Sequence, residues 1–296
     1  MNIDGHTIEL SHTDKVFFPQ SKITKGDLIT YYKKIGDIMI PYMEDRPVTM
    51  HRFPDGITEE GFYQKDMPEY FPSWIERAKI EKKEDGKNVQ VLCNTPATLV
   101  YLANQGVITP HIWLSRIDKI EYPDKLVIDL DPPADDFGSV QFAAQALHDT
   151  LQERDVQCFL MTTGSQGLHV IIPLDRTAPF DAVRSFAQSL GTQVASLYPE
   201  RLTMAQRKAK RGNRLFLDMM RNSYAQTSVA PYAVRALEGA PVATPLHWEE
   251  VSRSDLTSQT YTISNIFRRL GQKDDPWKDM GKESYAINDL KKRLPG

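Results

Sequence analysis

Residues 125–133 have the sequence KLVIDLDPP, an apolar run that carries two aspartates and ends at two prolines. Apolar side chains at alternate positions predict a strand, in which Asp129 and Asp131 project from the same face about 7 Å apart. The prolines stop the strand and leave the pair at its exposed end. Because adjacent carboxylates repel each other, the pair favours a hard divalent cation such as Mg²⁺ or Mn²⁺. Two aspartates that merely contact water are the alternative.

A third carboxylate, Asp218, lies within another apolar segment, LFLDMM at residues 215–220. An acid inside a buried strand needs a charged partner. If this strand lies beside that of Asp129, the three carboxylates converge and can hold two metal ions for phosphoryl transfer. The alternative is that Asp218 only forms a salt bridge with Arg214 or Arg221.

Two further segments favour phosphate binding. The loop TTGSQGLHV at residues 162–170 can offer backbone N–H groups to a phosphate, and His169 can donate to a phosphate oxygen. A plain glycine turn with a structural histidine is the alternative. Residues 201–235 hold eight Lys or Arg and one acid, Asp218, which indicates either a polyanion site or a solvated basic face.

The composition indicates a globular protein with a substantial core. Hydrophobic residues make up 41% and charged residues 25% of 296 residues, and the net charge of -3 counts against a protein that coats nucleic acid through bulk charge. We find neither a membrane-spanning apolar run nor a signal peptide. Cys93 and Cys158 lie far apart, so we expect no disulfide or zinc framework and a cytoplasmic location.

Periodicity and turn signals predict a mixed α/β (α+β) fold with two lobes. We expect an N-terminal lobe over residues 1–110, a catalytic lobe over 111–240 and a tail over 241–296 that packs on the core. Helices are predicted at 25–42, 96–105, 140–154, 180–197 and 264–270. Strands are predicted at 48–53, 61–64, 79–83, 89–92, 126–131, 158–162, 169–174 and 214–220.

Together these segments resemble the polymerase domain of bacterial ligase D, an end-joining primase-polymerase of the archaeo-eukaryotic primase superfamily. The resemblance covers nearly the whole chain in order and implies a two-lobed primase-polymerase fold with the catalytic aspartates on a mixed central sheet. The matching stretches are HTDKVFFP at 12–19, ITKGDLITYY at 23–32, RPVTMHRFPDGI at 46–57, FYQKDMP at 62–68, HIWLSR at 111–116, LVIDLDPP at 126–133, TTGSQGLHVIIP at 162–173, RGNRLFLDMMRNSYAQTSVAPYAVRA at 211–236 and PVATPLHWEEV at 241–251.

The resemblance implies a role for each matching position. The catalytic ligands of two Mn²⁺ or Mg²⁺ ions would be Asp129, Asp131 and Asp218. The incoming nucleotide would be bound by Thr163, Ser165, His169, Arg211, Arg221, Arg235, Arg52 and His111. DNA would be bound by Lys15 and Lys25 at a 5′-phosphate and by Phe62 and Tyr63 stacked on template bases. The loop over residues 82–87 would hold DNA ends together, and Gln166 stands where relatives often carry Lys or Arg.

The implied activity is DNA-directed nucleotidyl transfer to the 3′-OH at gaps or broken ends, in end joining or gap repair, with a preference for ribonucleotides. The implied partners are 5′-phosphorylated DNA, nucleoside triphosphates, Ku and a DNA ligase, in the nucleoid and without a membrane. No ligase nucleotidyl-lysine motif is visible, so we expect a stand-alone polymerase or a domain excised from a longer chain. The alternatives are a DNA-end tether without catalysis, which Gln166 hints at, and a manganese-dependent glycosyltransferase, which would not need Asp218.

Overall fold

The computed structural model describes residues 1–81, 86–134 and 136–294, and its helices and strands belong to two compact units. The first unit comprises Met1–Asp118, Thr227–Val242 and Thr262–Ile266. The second comprises Lys119–Gln226, Ala243–Tyr261 and Phe267–Gly296. The mixed α/β fold class predicted from the sequence is confirmed, whereas the lobe boundaries at residues 110 and 240 stay a prediction.

The described residues form sixteen β-strands and six α-helices. In chain order the strands of the described ranges are β1 (Asn2–Ile3), β2 (His6–Thr7), β3 (Val16–Phe18), β4 (Ile23–Thr24), β5 (Pro47–Arg52), β6 (Phe62–Gln64), β7 (Arg77–Glu81), β8 (Lys87–Leu92), β9 (Val107–Trp113), β10 (Lys125–Asp131), β11 (Phe159–Thr162), β12 (Leu168–Pro173), β13 (Leu202–Thr203), β14 (Leu215–Asp218), β15 (Thr227–Val229) and β16 (Pro245–Leu246). The α-helices of the same ranges are α1 (Lys25–Met43), α2 (Pro96–Asn104), α3 (Phe137–Gln152), α4 (Phe180–Leu197), α5 (Ile266–Leu270) and α6 (Ile287–Arg293).

In the first unit, α1 and α2 pack against each other. Helix α1 begins at a capping box, in which Thr24 Oγ1 accepts from the Asp27 N–H at 3.1 Å and the Asp27 carboxylate accepts from the Thr24 N–H at 2.8 Å. Gly36 permits the close approach of the helices, since a Cβ atom there would lie 2.9 Å from Pro96 Cβ. The cap fixes where α1 begins, and Gly36 lets α1 pack closely on α2.

The main sheet of the first unit has the strand order β15-β9-β5-β8-β7, and β6 also pairs with β5. The strands predicted at 79–83 and 89–92 correspond to β7 and β8, which pair antiparallel as a hairpin with Glu81 opposite Lys87. Residues 82–85 of its turn, and with them most of the end-holding loop predicted over 82–87, lie outside the described residues. Strand β9 was absent from the predictions because all seven of its residues are buried, so no apolar–polar alternation marks it.

The sheet of the second unit has the strand order β13-β14-β10-β12-β11-β16, and β10 pairs antiparallel with both of its neighbours. Helices α3 and α4 contact each other and also pack against β10. Strand β14 ends two residues earlier than predicted, because the Met220 N–H donates to Asp218 Oδ1 at 2.7 Å and turns the chain into a 3₁₀ helix. Asp218 therefore lies at the end of its strand rather than in its middle.

Cys93 and Cys158 are both buried and free, as expected for a chain without a disulfide framework. None of the helices in the described ranges is both long and apolar enough to cross a membrane.

Candidate active site

Strand pairing in the second unit brings four predicted site residues to one point. Asp129 on β10 lies directly opposite His169 on β12 and directly opposite Asp218 on β14. Cross-strand partners share a face of the sheet, and Asp131 shares that face because it lies two residues along β10. One oxygen atom from each of the three carboxylates lies within 4.8 Å of the other two. The backbone register of three strands thus assembles the cluster.

Asp129 is the most deeply buried of the three carboxylates, with 4% of its surface exposed. His169 Nε2 lies 3.3 Å from one of its carboxylate oxygens, and Arg221 Nε lies 3.2 Å from the other. Burial by itself would raise the pKa of Asp129, but the contacts with His169 and Arg221 outweigh burial and lower the pKa to about 2. Asp129 is therefore ionised at neutral pH.

The pKa values of Asp131 and Asp218 are raised, in contrast to that of Asp129. Burial raises the pKa of Asp131 to about 7, and the negative charges of Asp129 and Asp218 add to the effect. Burial also raises the pKa of Asp218, with a further contribution from Asp129. A cation placed among these oxygens would relieve the repulsion, and carboxylate oxygens are the ligands that Mg²⁺ and Mn²⁺ prefer. The donor set of the cluster therefore fits a divalent metal ion.

Two arginines lie beside the cluster, and a third does not reach it. Arg211 and Arg221 both lower the pKa of Asp131 and of Asp218 by their positive charge. The guanidinium carbon of Arg211 lies 3.8 Å from the ring centroid of Phe216, and its Nε donates to the Ala205 carbonyl at 3.0 Å. Arg214 donates instead to the backbone carbonyl of Arg211 at 2.9 Å.

The glycine-containing loop between β11 and β12 is closed around one threonine. Thr163 Oγ1 accepts from the N–H groups of Ser165 and Gly167, both at 3.3 Å, so these two N–H groups already have a partner. Ser258 was absent from the predicted site, yet its hydroxyl donates to the Gly167 carbonyl at 2.9 Å and bonds Thr163 Oγ1 at 3.2 Å. Its position 91 residues from Gly167 left no local signal in the sequence. Gln166 is exposed on this loop.

The remaining predicted site residues lie in the first unit. His51, which was not predicted, lies close to Tyr63 and His111. The imidazole of His51 stacks on the ring of Tyr63 at 4.0 Å and 7°. The ring centroid of His111 lies 5.6 Å from that of Tyr63 and 6.3 Å from that of His51. Burial lowers the pKa of His51 to about 4, and the charge of Arg235 contributes. No signal in the sequence identified His51, because its place opposite Tyr63 depends on the register between β5 and β6.

Lys15 and Lys25 lie together in the first unit. The Lys25 N–H donates to the Lys15 carbonyl at 2.8 Å, and burial together with the charge of Lys15 lowers the pKa of Lys25. The ammonium group of Lys25 donates to the Ser11 carbonyl at 2.6 Å. The ammonium group of Lys15 contacts the carboxylate of Asp55 and donates to the Pro54 carbonyl at 3.1 Å. Asp55 therefore occupies one position that an anionic ligand of Lys15 would take.

Comparison with known proteins identifies the family. Residues 24–277 match the sequence model described as "LigD, primase-polymerase domain". The chain is 31% identical to the bifunctional non-homologous end joining protein LigD of Bacillus subtilis, over 97% of this chain and 47% of that protein. It is also 31% identical to the multifunctional non-homologous end joining protein LigD of Pseudomonas aeruginosa, over 98% of this chain and 34% of that protein.

A solved structure agrees with these sequence matches. The polymerase domain of Mycobacterium tuberculosis ligase D, solved in complex with DNA, superposes with a TM-score of 0.87 at 25% identity, over 94% of this chain and 99% of that chain. The chain spans less than half the length of the two curated relatives. The chain belongs to the family of LigD primase-polymerase domains, a nucleotidyltransferase family.

Proposed function

We propose that this protein is a DNA-directed nucleotidyl transferase that adds nucleotides to the 3′-OH at gaps or broken DNA ends by two-metal phosphoryl transfer. The observation that carries the proposal is the set of three carboxylates whose oxygens lie within 4.8 Å of one another, in a chain of this family. A glycosyltransferase is not proposed, because the family transfers nucleotides.

Each residue of the cluster has a distinct part in this proposal. Asp129, which is ionised and held by His169 and Arg221, would be a permanent metal ligand. Asp131 and Asp218 would complete the ligand set, and a bound cation would favour the ionised form of both carboxyl groups. Two bound Mn²⁺ or Mg²⁺ ions would supply charge neutralisation and lower the pKa of the primer 3′-OH.

The basic residues would hold the triphosphate. Arg211 and Arg221 lie beside the carboxylates and can donate to phosphate oxygens in the bidentate manner that suits guanidinium groups. His169 would donate to a phosphate oxygen from the neighbouring strand. Thr163 and Ser165 are proposed as further nucleotide contacts of the second unit. For Arg52, His111 and Arg235, a nucleotide contact stays what the family resemblance implies.

DNA would be bound by the first unit. Lys15 and Lys25 would bind a 5′-phosphate at the far side of a gap, with Asp55 displaced from Lys15. Tyr63, 60% exposed and backed by His51, would stack on a template base. Base stacking on aromatic rings is worth about 1–3 kcal/mol per base. Ku and a DNA ligase are proposed as partners, since the curated relatives are end-joining proteins.

The test is primer extension on a duplex with a gap of one to three nucleotides. Reactions would contain Mn²⁺ or Mg²⁺, ribo- or deoxynucleoside triphosphates, and a gap with or without a 5′-phosphate. Asp129→Asn should abolish nucleotide addition and leave DNA binding intact, whereas Glu200→Gln, at an exposed site, should behave as the wild type. Full activity of Asp129→Asn would refute the proposed site. If the wild type binds DNA but adds no nucleotide, the alternative of a DNA-end tether without catalysis would be favoured.

A further inference from the structure

Two methionines follow the proposed metal ligand Asp218, and their side chains differ in exposure. Met219 is 3% exposed and packs against Gly191, where a Cβ atom would lie 2.5 Å from the Met219 Cε. Met220 is 39% exposed, and its N–H group donates to Asp218 Oδ1 at 2.7 Å. A peroxide in solution can therefore reach the thioether of Met220, whereas that of Met219 is shielded.

Two hydrogen-bond donors point at the sulfur of Met220. Arg184 Nη2, on α4, donates to Met220 Sδ at 3.5 Å, and Gln206 Nε2 donates to the same atom at 3.8 Å. A thioether is a weak acceptor, whereas oxidation to the sulfoxide makes the side chain polar and gives it an oxygen acceptor. A guanidinium and an amide directed at this sulfur are therefore better matched to the sulfoxide than to the thioether.

The sulfur is connected to the carboxylate cluster in two ways. The backbone of Met220 holds Asp218, and the carbonyl of Gln206 accepts from Arg211 Nη2 at 2.9 Å. Arg211 lowers the pKa of Asp131 and of Asp218 by its positive charge. A change at the sulfur would therefore act on a metal ligand through Met220 and on a neighbouring cation through Gln206.

We propose that Met220 is a site of reversible oxidation that disturbs the carboxylate cluster and so lowers nucleotide addition. The oxidant is a hydroperoxide, such as hydrogen peroxide. A sulfur lone pair attacks one peroxide oxygen, and the S–O bond forms as the O–O bond breaks. The leaving oxygen takes the proton of the transferred oxygen and departs as water or an alcohol. The sulfur loses two electrons, which the peroxide gains.

The new oxygen atom must be accommodated where Arg184 and Gln206 now approach the sulfur. It accepts from both donors, and the turn that begins at Met220 shifts together with the side chain of Gln206. Asp218 and Arg211 shift with them, and a misplacement of about 1 Å at a reacting centre can cost about a hundredfold in rate. The inference rests on the proposed function, because it concerns regulation of the same carboxylate site.

The test is treatment of the protein with hydrogen peroxide, followed by peptide mass spectrometry, Mn²⁺ titration and primer extension on the same samples. Met220 should gain the mass of one oxygen atom before Met219 does. Oxidation should lower the rate of nucleotide addition about tenfold or more and weaken Mn²⁺ binding. A methionine sulfoxide reductase should restore both properties.

Three variants, each compared with its own untreated sample, assign the effect. Met220→Leu has no sulfur at this position, so treatment should leave its Mn²⁺ binding and its rate of addition unchanged. Met280→Leu, at a partly exposed methionine of the same unit, should respond to peroxide as the wild type does. Gln206→Ala should be oxidised at Met220 with a smaller loss of addition, because the side chain that connects the sulfoxide to Arg211 is absent.

Three results would overturn the inference. They are oxidation of Met219 as early as Met220, oxidation of Met220 without an effect on Mn²⁺ binding or addition, and an equal loss in Met220→Leu. If the untreated wild type extends gapped DNA, these results leave the proposed function intact. If the untreated wild type adds no nucleotide, the proposed function fails, and Mn²⁺ binding before and after treatment decides whether oxidation acts on the carboxylate cluster.

Discussion

The side-chain amide of Asn222 takes the place of a neighbouring strand opposite Val127. Its Oδ1 accepts from the Val127 N–H at 2.8 Å, and its Nδ2 donates to the Val127 carbonyl at 2.7 Å. Since β14 ends at Asp218, the amide continues the hydrogen bonding of β10 after that strand has ended. Arg221, the preceding residue, contacts Asp129. The interaction of Asn222 with Val127 therefore helps to hold the guanidinium of Arg221 beside the carboxylates.

Asn222→Ala should therefore destabilise the protein and impair catalysis. A buried backbone group that loses its partner costs about 1–3 kcal/mol, and the substitution leaves both the N–H and the carbonyl of Val127 unpaired. Urea unfolding should show the loss, and nucleotide addition should fall more than DNA binding because Arg221 is displaced. Asn222→Asp, which keeps the acceptor, should be intermediate. Wild-type stability of Asn222→Ala would contradict this account.

The carboxylate cluster should make the metal-free protein less stable as pH rises. Asp131 has a folded-state pKa of about 7 against an ordinary value of 3.8, so between these values the folded protein binds more protons than the unfolded chain. Stability from this group is present below about 4 and is lost as pH rises toward 7. With a chelator present, the free energy of unfolding of Asp131→Asn should increase relative to that of the wild type as pH increases from 5 to 8. A constant difference across that pH interval would refute the prediction.

Addition of Mn²⁺ gives the complementary measurement. The wild type should become more stable at pH 8, because a cation replaces the protons that the carboxyl groups have lost. The thermal midpoint of Asp129→Asn should respond much less, because the variant lacks the ligand that is ionised at every pH of the series.

Gly167→Ala should distort the site directly. A Cβ atom at this position would lie 2.1 Å from the carbonyl oxygen of Leu130, the residue between the two aspartates of β10. The strand must move to accommodate the methyl group, so we expect a loss of about 1–3 kcal/mol in stability and a large loss of nucleotide addition. Gly281→Ala is the control, since nothing lies within 4 Å of its Cβ position. An active and stable Gly167→Ala would show that the close approach is dispensable.

The buried ion pair between Glu250 and Arg269 should govern the acid stability of the second unit. The two side chains meet at 2.6 Å, and the Tyr261 hydroxyl donates to Glu250 at 2.8 Å. Burial opposes ionisation, but the contacts with Arg269 prevail and lower the pKa of Glu250 to about 2 from 4.5. The stabilisation is therefore present above pH 4.5 and is lost as pH falls toward 2.

Glu250→Gln should cost about 3–5 kcal/mol at neutral pH, because it leaves the charge of Arg269 buried without its partner. It should also reduce the dependence of stability on pH below 4.5. Glu249→Gln, at the exposed neighbouring position, should leave both properties unchanged. Chemical unfolding at several pH values gives the free energy of unfolding of the wild type and of both variants. Equal dependence of that free energy on pH for Glu250→Gln and the wild type would disprove the assignment.

Asp55→Asn should strengthen binding of a 5′-phosphate. Asp55 contacts the ammonium group of Lys15, so a phosphate must displace this carboxylate before it can reach Lys15. Affinity for gapped DNA with a 5′-phosphate should rise relative to the same DNA without one, with a steeper dependence on salt concentration. Glu59→Gln removes the same charge at an exposed position nearby and should lack this selectivity. Equal gains on both DNA substrates would contradict a specific role of Asp55.

Local patterns in the sequence determined much of this protein. Alternation along residues 125–133 is enough to place Asp129 and Asp131 on one face of a strand. Thr24 and Pro179 mark the start of α1 and of α4, because capping and the restricted backbone of proline act over a few residues. The resemblance to ligase D polymerase domains also comes from segments that can be compared one at a time.

Only the tertiary structure decided which of these segments meet. Strand register and the return of the chain determine three of these contacts. Asp218 lies opposite Asp129, Asn222 exchanges hydrogen bonds with Val127, and Glu250 pairs with Arg269. Partners so far apart in sequence are chosen by the burial of apolar faces across the whole sheet, since a shift of one residue would reverse every side chain. That choice is a property of the complete core, and no short segment of the sequence contains it.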